Sequence, residues 1–291
     1  MNWDDVRIFL AVARSGQILG AAKALGLNHA TVARRLTALE TALGSTLFTR
    51  KTNGSELSGA GERFLSHAEA MESAMLAASA SSGADSKVEG TVRVGAPDGF
   101  GVAFLAPRLG QLIERHKGLR VELVPVPRTF SLSRREADIA VTLERPQEGR
   151  LVARKLTDYR LGLYAAQSYL DRHGAPADLA ALAQHSLVGY VDDLLFTQSL
   201  DYTGEFLRGW RSSLAVSSAM GQTEAVRAGA GIGILHAFMA GRDAGLVPVL
   251  PQHSLMRSYW TVVHEDLRAI RRVALVAEFL SEIVARDRAM F

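Results

Sequence analysis

At 291 residues, 48% of them hydrophobic and 22% charged, the chain can build about two or three domains with real cores. Its net charge of +3 does not by itself argue for a nucleic-acid partner, and the absence of cysteine excludes disulfides, thiolate metal sites and thiol redox switches. The most apolar window, 228–241, is glycine-rich and too short to span a bilayer, and Asp4 and Asp5 stand where an export signal would be basic; a cytoplasmic protein is expected.

Asn2 is placed to cap a first helix carrying Asp4 and Asp5 in its first turn, with Val6, Phe9, Leu10 and Ala13 as its apolar stripe and Ser15-Gly16 as its stop. A short helix from about Ile18 to Leu25 follows, built on Ala21, Ala22 and Ala24, which let another helix cross closely. Gly26-Leu27 turns the chain, and Asn28 opens a third helix within LNHATVARRLTALE. Val32, Leu36 and Leu39 make its buried side, whereas Ala30, Arg34, Thr37 and Thr41 load the other face with small, hydroxylic and basic groups. This is a helix-turn-helix pattern. Between residues 20 and 55, Lys23, Arg34, Arg35, Arg50 and Lys51 stand against the single acid Glu40.

After Gly44 the period shortens. Asn53-Gly54 tolerates the positive φ of a type I′ turn, so a hairpin with Arg50 and Lys51 on one strand is expected, a wing placed to touch a phosphate backbone. From Gly61 to about Ala80 the pattern is helical, with Phe64, Ala68, Met71, Met75 and Ala78 forming a short heptad-like seam. Such a stripe must be buried, on the same chain or on a second copy, and the second copy is the favoured reading. SASSGADSK then reads as a hinge.

From Gly90 strands and helices alternate. TVRVGA, LRVELVPV, the run entering at Asp138, RLGLYAA, SLVGY, SLAVSS, GIGIL and YWTVV read as strands, and Leu267 to Arg286 as a long closing helix. Alternation of this kind argues for parallel sheets flanked by helices. About two hundred residues is room for two small α/β subdomains, with a ligand between them at the carboxyl ends of strands. Asp98, Gly99 and Phe100 follow the first strand, Thr129 and Phe130 the second, Tyr190 ends SLVGY, and Ser218 and Met220 follow SLAV; these are the candidate effector-binding residues.

The run WDDVRIFLAVARSG, the block AAKALGLNHATVARRLTALETALGSTLFTR, LSGAG after the wing, and READIAV, GLYAAQSYL and AVRAGAGIGIL together resemble the signature of the LysR-type transcriptional regulators over the full length. The resemblance implies an all-α winged helix-turn-helix domain at 1–60, a dimerising linker helix and hinge at 61–89, and a two-subdomain α/β effector domain of periplasmic-binding-protein type at 90–291. Subdomain one would take 90–160 and 266–291 and subdomain two 161–265, with crossings near Arg160-Leu161 and Glu265-Asp266. It implies a homodimer or homotetramer on promoter double-stranded DNA, a small-molecule effector that changes DNA bending, and RNA polymerase as a further partner. No enzymatic activity, cofactor or membrane partner is implied.

Carried onto this chain, the resemblance puts His29, Ala30, Thr31, Ala33 and Arg34 at groove-facing positions, Arg34 and Arg35 at the basic pair, and Arg50 at the arginine ending the L-F-x-R motif. The chemistry agrees: His29 and Thr31 can bond base edges, Ala30 can meet a thymine methyl, and Arg50, Lys51 and Asn53 suit phosphates. Ala33 stands where serine is frequent, Gly59 and His236 where proline is, and Thr142 where a base is. Asp98 is read either as a ligand contact or as the cap of a helix beginning near Val102. Because an ionised Asp98 repels a carboxylate unless Arg128 or another cation neutralises it, a ligand contact there calls for an uncharged or cationic effector.

Other signals carry less. GAGIG at Gly229–Gly233 leads from a helix into a strand, the reverse of a dinucleotide fingerprint. The eight histidines share no His-x-x-x-His spacing. Ser168, His185 and Asp192 lack the G-x-S-x-G elbow of a hydrolase triad. The competing function is a metabolite-binding or enzymatic α/β protein with a helical N-terminal appendage, which would have no use for five clustered bases.

Overall fold

In a computed structural model of the chain, the described residues are 2–51, 54–81, 88–126, 128, 130, 132 and 136–291, without the side chains of 50, 51, 73 and 76–81. The chain divides at residues 86 and 87 into an N-terminal and a C-terminal unit.

The N-terminal unit opens with helix α1, Trp3–Ser15, held by a reciprocal cap: Asp5 N–H donates to Asn2 Oδ1 at 2.9 Å and Asn2 N–H to the Asp5 carboxylate at 3.2 Å. Helix α2, Ile18–Leu25, crosses it on the buried Ala21 and Ala22. Helix α3, His29–Leu43, buries Val32, Leu36 and Leu39, and Thr31 N–H donates to its cap Asn28 at 2.7 Å. Phe9 sits at the centre of this core, fully buried, with its ring 5.3 Å from Phe48 and 4.9 Å from Phe64.

The wing pairs β1, Phe48–Lys51, with β2, Gly54–Leu57, antiparallel, Lys51 opposite Gly54. The expected type I′ turn involves Asn53, which lies outside the described residues. Gly54 has a different reason to be glycine. At φ +149° a Cβ there would stand 2.5 Å from the carbonyl oxygen of Gly16, which accepts the Ser55 N–H at 2.8 Å. Wing and α1 therefore dock backbone to backbone.

Helix α4, Gly59–Ser81, starts slightly ahead of the expected Gly61 because Ser58 caps it, accepting from Gly61 N–H at 3.0 Å and donating to Thr46 at 2.5 Å. A Cβ on Gly61 would lie 2.1 Å from the Leu47 carbonyl oxygen, so this glycine is fixed by close approach. Gly59 is not: its nearest neighbour is the tip of Arg63, 3.7 Å away. Gly59→Pro, at the first helical position, stabilises the unit by about 0.5–1 kcal/mol through the unfolded chain's lost freedom. Thermal melting of the two proteins checks this, and a lowered midpoint contradicts it.

The C-terminal unit runs β3 (Gly90–Ala96), a short helix α5 (Asp98–Phe100), a π-helical turn at Gly101–Leu105, α6 (Ala106–Arg115), β4 (Leu119–Pro125) and β5 (Ile139–Thr142). Next come β6 (Leu151–Ala166), α7 (Gln167–His173), β7 (Leu187–Gly189), α8 (Thr203–Phe206), β8 (Ser212–Ala215) and α9 (Ala219–Arg227). The unit closes with β9 (Ile232–His236), α10 (Ala237–Ala240), β10 (Leu246–His264) and α11 (Arg271–Arg286). The sheet order is β4-β3-β5-β10-β6-β9-β7-β8.

At each end the pairings are parallel, as the alternation predicts: β3 with β4 and β5, β7 with β8 and β9. The centre corrects that expectation. β6 and β10 form a long antiparallel ribbon shared by both halves. Both strands are longer than expected, since RLGLYAA and YWTVV are only their ends. The β6 extension carries Arg154, Lys155 and Asp158, and that of β10 is broken by Pro248 and Pro251, so neither reads as a regular strand; their mutual pairing satisfies the backbone. β10 already pairs with β5 at Trp260, ahead of the expected crossing near Glu265 and Asp266. α11 returns to the first half, where Asp287 just beyond it accepts from Arg108 at 2.7 Å.

Candidate functional site

Two regions hold the candidate functional side chains, one in each unit. On α3, His29, Ala30 and Arg34 are exposed, while Thr31 and Ala33 are half-buried. The Thr37 and Thr41 hydroxyls donate back to the carbonyls of Ala33 and Thr37, which leaves Arg34 and His29 as the outward polar groups of the first turns. Arg35 is placed otherwise. Its guanidinium meets Asp4 at 3.3 Å and Asp5 at 3.8 Å, binding α3 to the start of α1. Glu40, the one acid among the clustered bases, turns to the wing: its carboxylate accepts from Leu47 N–H at 2.7 Å and Phe48 N–H at 3.2 Å. The exposed face is thus basic because its acid is spent on the backbone. Arg50 and Lys51 lie on β1; their side chains and Asn53 are outside the described residues.

In the C-terminal unit Asp98 is buried, and its carboxylate accepts from the Ser218 hydroxyl at 2.6 Å and from Met220 N–H at 3.2 Å. Ser218 is itself the cap of α9, accepting from Gly221 N–H at 3.2 Å. Asp98 therefore caps a helix, but not the expected one near Val102: it closes the N-terminus of α9, across the cleft. The helix dipole and two hydrogen bonds answer its charge, which removes the premise for expecting an uncharged or cationic effector.

Around this contact lie Tyr159, Tyr190, Tyr202, Tyr259 and His236. Burial pushes the phenols up, with the Asp98 charge adding to the effect at Tyr190, and pushes His236 down to about 4. Tyr159 stacks between Tyr259, at 4.1 Å, and His236, at 5.2 Å. Gly99 abuts Ala219 and Met239, each 3.2 Å from where its Cβ would be.

Phe100 is no cleft residue. It is fully buried in an aromatic core with Phe104, Tyr259 and Phe291, its ring centroid 5.1, 4.5 and 6.1 Å from theirs. Phe130 does line an open cavity of 790 Å³. Thr129 lies outside the described residues. Asp98, Ser218 and Met220 are brought together and Tyr190 lies near them, whereas Phe130 belongs to the separate cavity.

That cavity holds residues the strand-end argument missed: Glu144, Arg145, Thr197, Met256, Arg257 and Trp260. Glu144 reaches across to the other half, accepting from Ser199 Oγ at 2.5 Å and from the Thr197 hydroxyl; these bonds hold its carboxyl below the usual range. Thr142, in place of the frequent base, donates to the Glu144 carbonyl at 2.6 Å. The alternation Met256, Ser258, Trp260, Val262 along β10 was the available signal for one wall.

Comparison with known proteins assigns both regions. A family model described as bacterial regulatory helix-turn-helix protein, lysR family, matches residues 3–62, and one described as LysR substrate binding domain matches residues 85–285. The chain is similar to the HTH-type transcriptional activator TtdR of Escherichia coli, 26% identical across 95% of this chain and 92% of that one. It is also similar to the Mau operon transcriptional activator of Paracoccus denitrificans, 28% identical across 99% of each. Among solved structures, CrgA from Neisseria meningitidis, a LysR-type transcriptional regulator, superposes with a TM-score of 0.60 at 25% identity, covering 97% of this chain and 98% of that one. ArgP from Mycobacterium tuberculosis shares the fold with a TM-score of 0.71 at 22% identity, covering 98% of each. With both parts matched in order and along nearly the whole length, the chain belongs to the LysR family of transcriptional regulators.

Proposed function

We propose that the exposed face of α3 enters the major groove of promoter DNA, with His29, Ala30, Thr31 and Arg34 toward base edges and the wing's Arg50, Lys51 and Asn53 on phosphates. Arg35 acts as the positioning residue that fixes α3 against α1. The observation that carries this reading is the exposed Arg34 on α3, a helix whose own acid, Glu40, is turned onto the wing backbone. The functional division follows 1–60, 61–89 and 90–291, with a small-molecule effector held between the two α/β halves, and the protein works in the cytoplasm with RNA polymerase as its downstream partner. No described helix is long and apolar enough to cross a membrane. Binding measured against salt tests the DNA reading: log affinity falls steeply with log salt as phosphates release counterions, and a flat dependence contradicts it.

The linker helix supplies the assembly. The start of its seam is used within the chain: Ala68 is fully buried and Phe64 packs on Phe9. Further along, Met71 and Met75 are 38% and 47% exposed, an apolar stripe that supports a homodimer, or a homotetramer built from dimers. Ala78's side chain lies outside the described residues. Met71→Asp, which would place a carboxylate in that contact, yields monomers by light scattering with DNA binding weakened. A variant that keeps both its mass and its affinity contradicts the seam.

A further inference from the structure

Helix α4 leaves the helix-turn-helix through a joint whose contacts follow one row of the helix, Ala60, Phe64, Ala68 and Glu72, each four residues after the last. Ala60 and Phe64 pack on the core of the N-terminal unit, and Ala68 is fully buried. At Glu72 the chemistry of the row changes. Arg14, in the last turn of α1, bonds that carboxylate with both arms of its guanidinium, Nη1 donating to Oε1 at 3.2 Å and Nη2 to Oε2 at 2.6 Å. Exposed ion pairs usually contribute little, but this one is bidentate and its side chains are only 30% and 16% exposed. On the wing side the joint is not filled by packing: Ala13, Arg14, Leu57, Glu62 and Leu65 border an open cavity of 400 Å³. Glu72 is thus tied at the level of α4 where the exposed stripe of Met71 and Met75 begins.

We propose that the Arg14–Glu72 pair is the positioning contact that fixes the direction of α4 against the helix-turn-helix, and so sets the spacing between the half-sites the protein accepts. The inference rests on the readings of α3 as the DNA-reading helix and of α4 as the assembly helix. In a dimer built on α4, each α3 stands at the end of a lever whose fulcrum is this joint. Half-sites one helical turn apart are about 34 Å from each other, so each α3 lies about 17 Å from the dyad. A tilt of about 10° carries a group at that distance through about 3 Å, and opposite tilts in the two protomers change the separation by more than the roughly 3.4 Å of one base-pair step. Apolar contacts are non-directional and tolerate such a tilt, whereas two parallel charge-assisted hydrogen bonds are tied to one geometry.

Affinity measured against half-site spacing tests the proposal. A duplex library randomised in sequence and spacing yields the parent's site, and a duplex series then moves the half-sites apart or together one base pair at a time. The parent loses about tenfold or more at one base pair from its optimum, whereas Glu72→Ala loses about threefold or less. Alanine keeps α4 helical, and removal of an acid raises affinity alike at every spacing, so the ratio between spacings isolates the pair. Base preference within a half-site, molecular mass and melting temperature stay in place, and Arg14→Glu combined with Glu72→Arg restores the sharp profile. A Glu72→Ala profile as sharp as the parent's overturns the proposal, as does a loss equal at all spacings or a parent indifferent to spacing. A distance measurement decides the joint without DNA. Spin labels at Lys23→Cys and Ala74→Cys, both exposed in a chain with no other cysteine, are read in protein diluted with unlabelled copies. They give a narrow distance distribution in the parent and a broad one with Glu72→Ala. Equal widths overturn the proposal, whereas a parent without salt-sensitive duplex binding is the failure of the DNA reading.

Discussion

Phe100→Ala lowers the stability of the protein by about 3–5 kcal/mol, the cost of emptying a well-packed aromatic site in a core that collapses only partly. The side chain is fully buried and its ring meets three others, with Phe104 stacked at an interplanar angle of 19°. The residue ends α5, just after a strand end that suggests a ligand contact, so the variant separates two roles. A core role lowers the denaturation midpoint with or without effector. A ligand role leaves the melting point in place and removes the response. Chemical denaturation distinguishes them, and a variant as stable as the parent contradicts the aromatic core.

Acidification from pH 7 toward pH 4 weakens the fold through His236. The imidazole is buried, stacked on Tyr159 and edge-on to Phe238, and burial lowers it from 6.5 to about 4 despite the nearby Asp98 charge. Above about pH 6.5 both folded and unfolded chains hold it neutral, and it imposes no penalty. As the pH falls, the unfolded chain takes up a proton that the folded chain refuses, so stability declines until about pH 4. The loss over that window is on the order of 3 kcal/mol. His236→Phe keeps a ring on Tyr159 and removes the titration, so its stability stays flatter over the same range. Parallel pH profiles for the two proteins contradict the buried neutral imidazole.

The N-terminal unit was legible almost residue by residue, because its signals are local. Asn2 and Asn28 cap where their side chains can reach the following turn, and the stripe Val32, Leu36, Leu39 is buried as its spacing demands. The role of Arg35 was not legible, since its partners Asp4 and Asp5 lie on another helix. The central ribbon of the second unit was hidden for a different reason. Strand β6 carries Arg154, Lys155 and Asp158, β10 is interrupted by Pro248 and Pro251, and the two satisfy their backbones on each other. The cleft is partly visible in the sequence: Asp98, Ser218 and Met220 follow strand ends and do meet, but the helix that Asp98 closes is remote in sequence. Arg145 and Trp260 converge through a loop and a strand more than a hundred residues apart in sequence, a distance no local pattern spans.

If the outward face of α3 reads DNA, Arg34 is the side chain through which that reading is tested most directly. Selection from a randomised duplex library, followed by affinity measurement on the recovered site, compares the parent with Arg34→Ala. Arg34→Ala binds the selected site about 1–3 kcal/mol more weakly, with a relaxed preference at the base pair Arg34 contacts. The same site bound with unchanged affinity and unchanged base preference would contradict it.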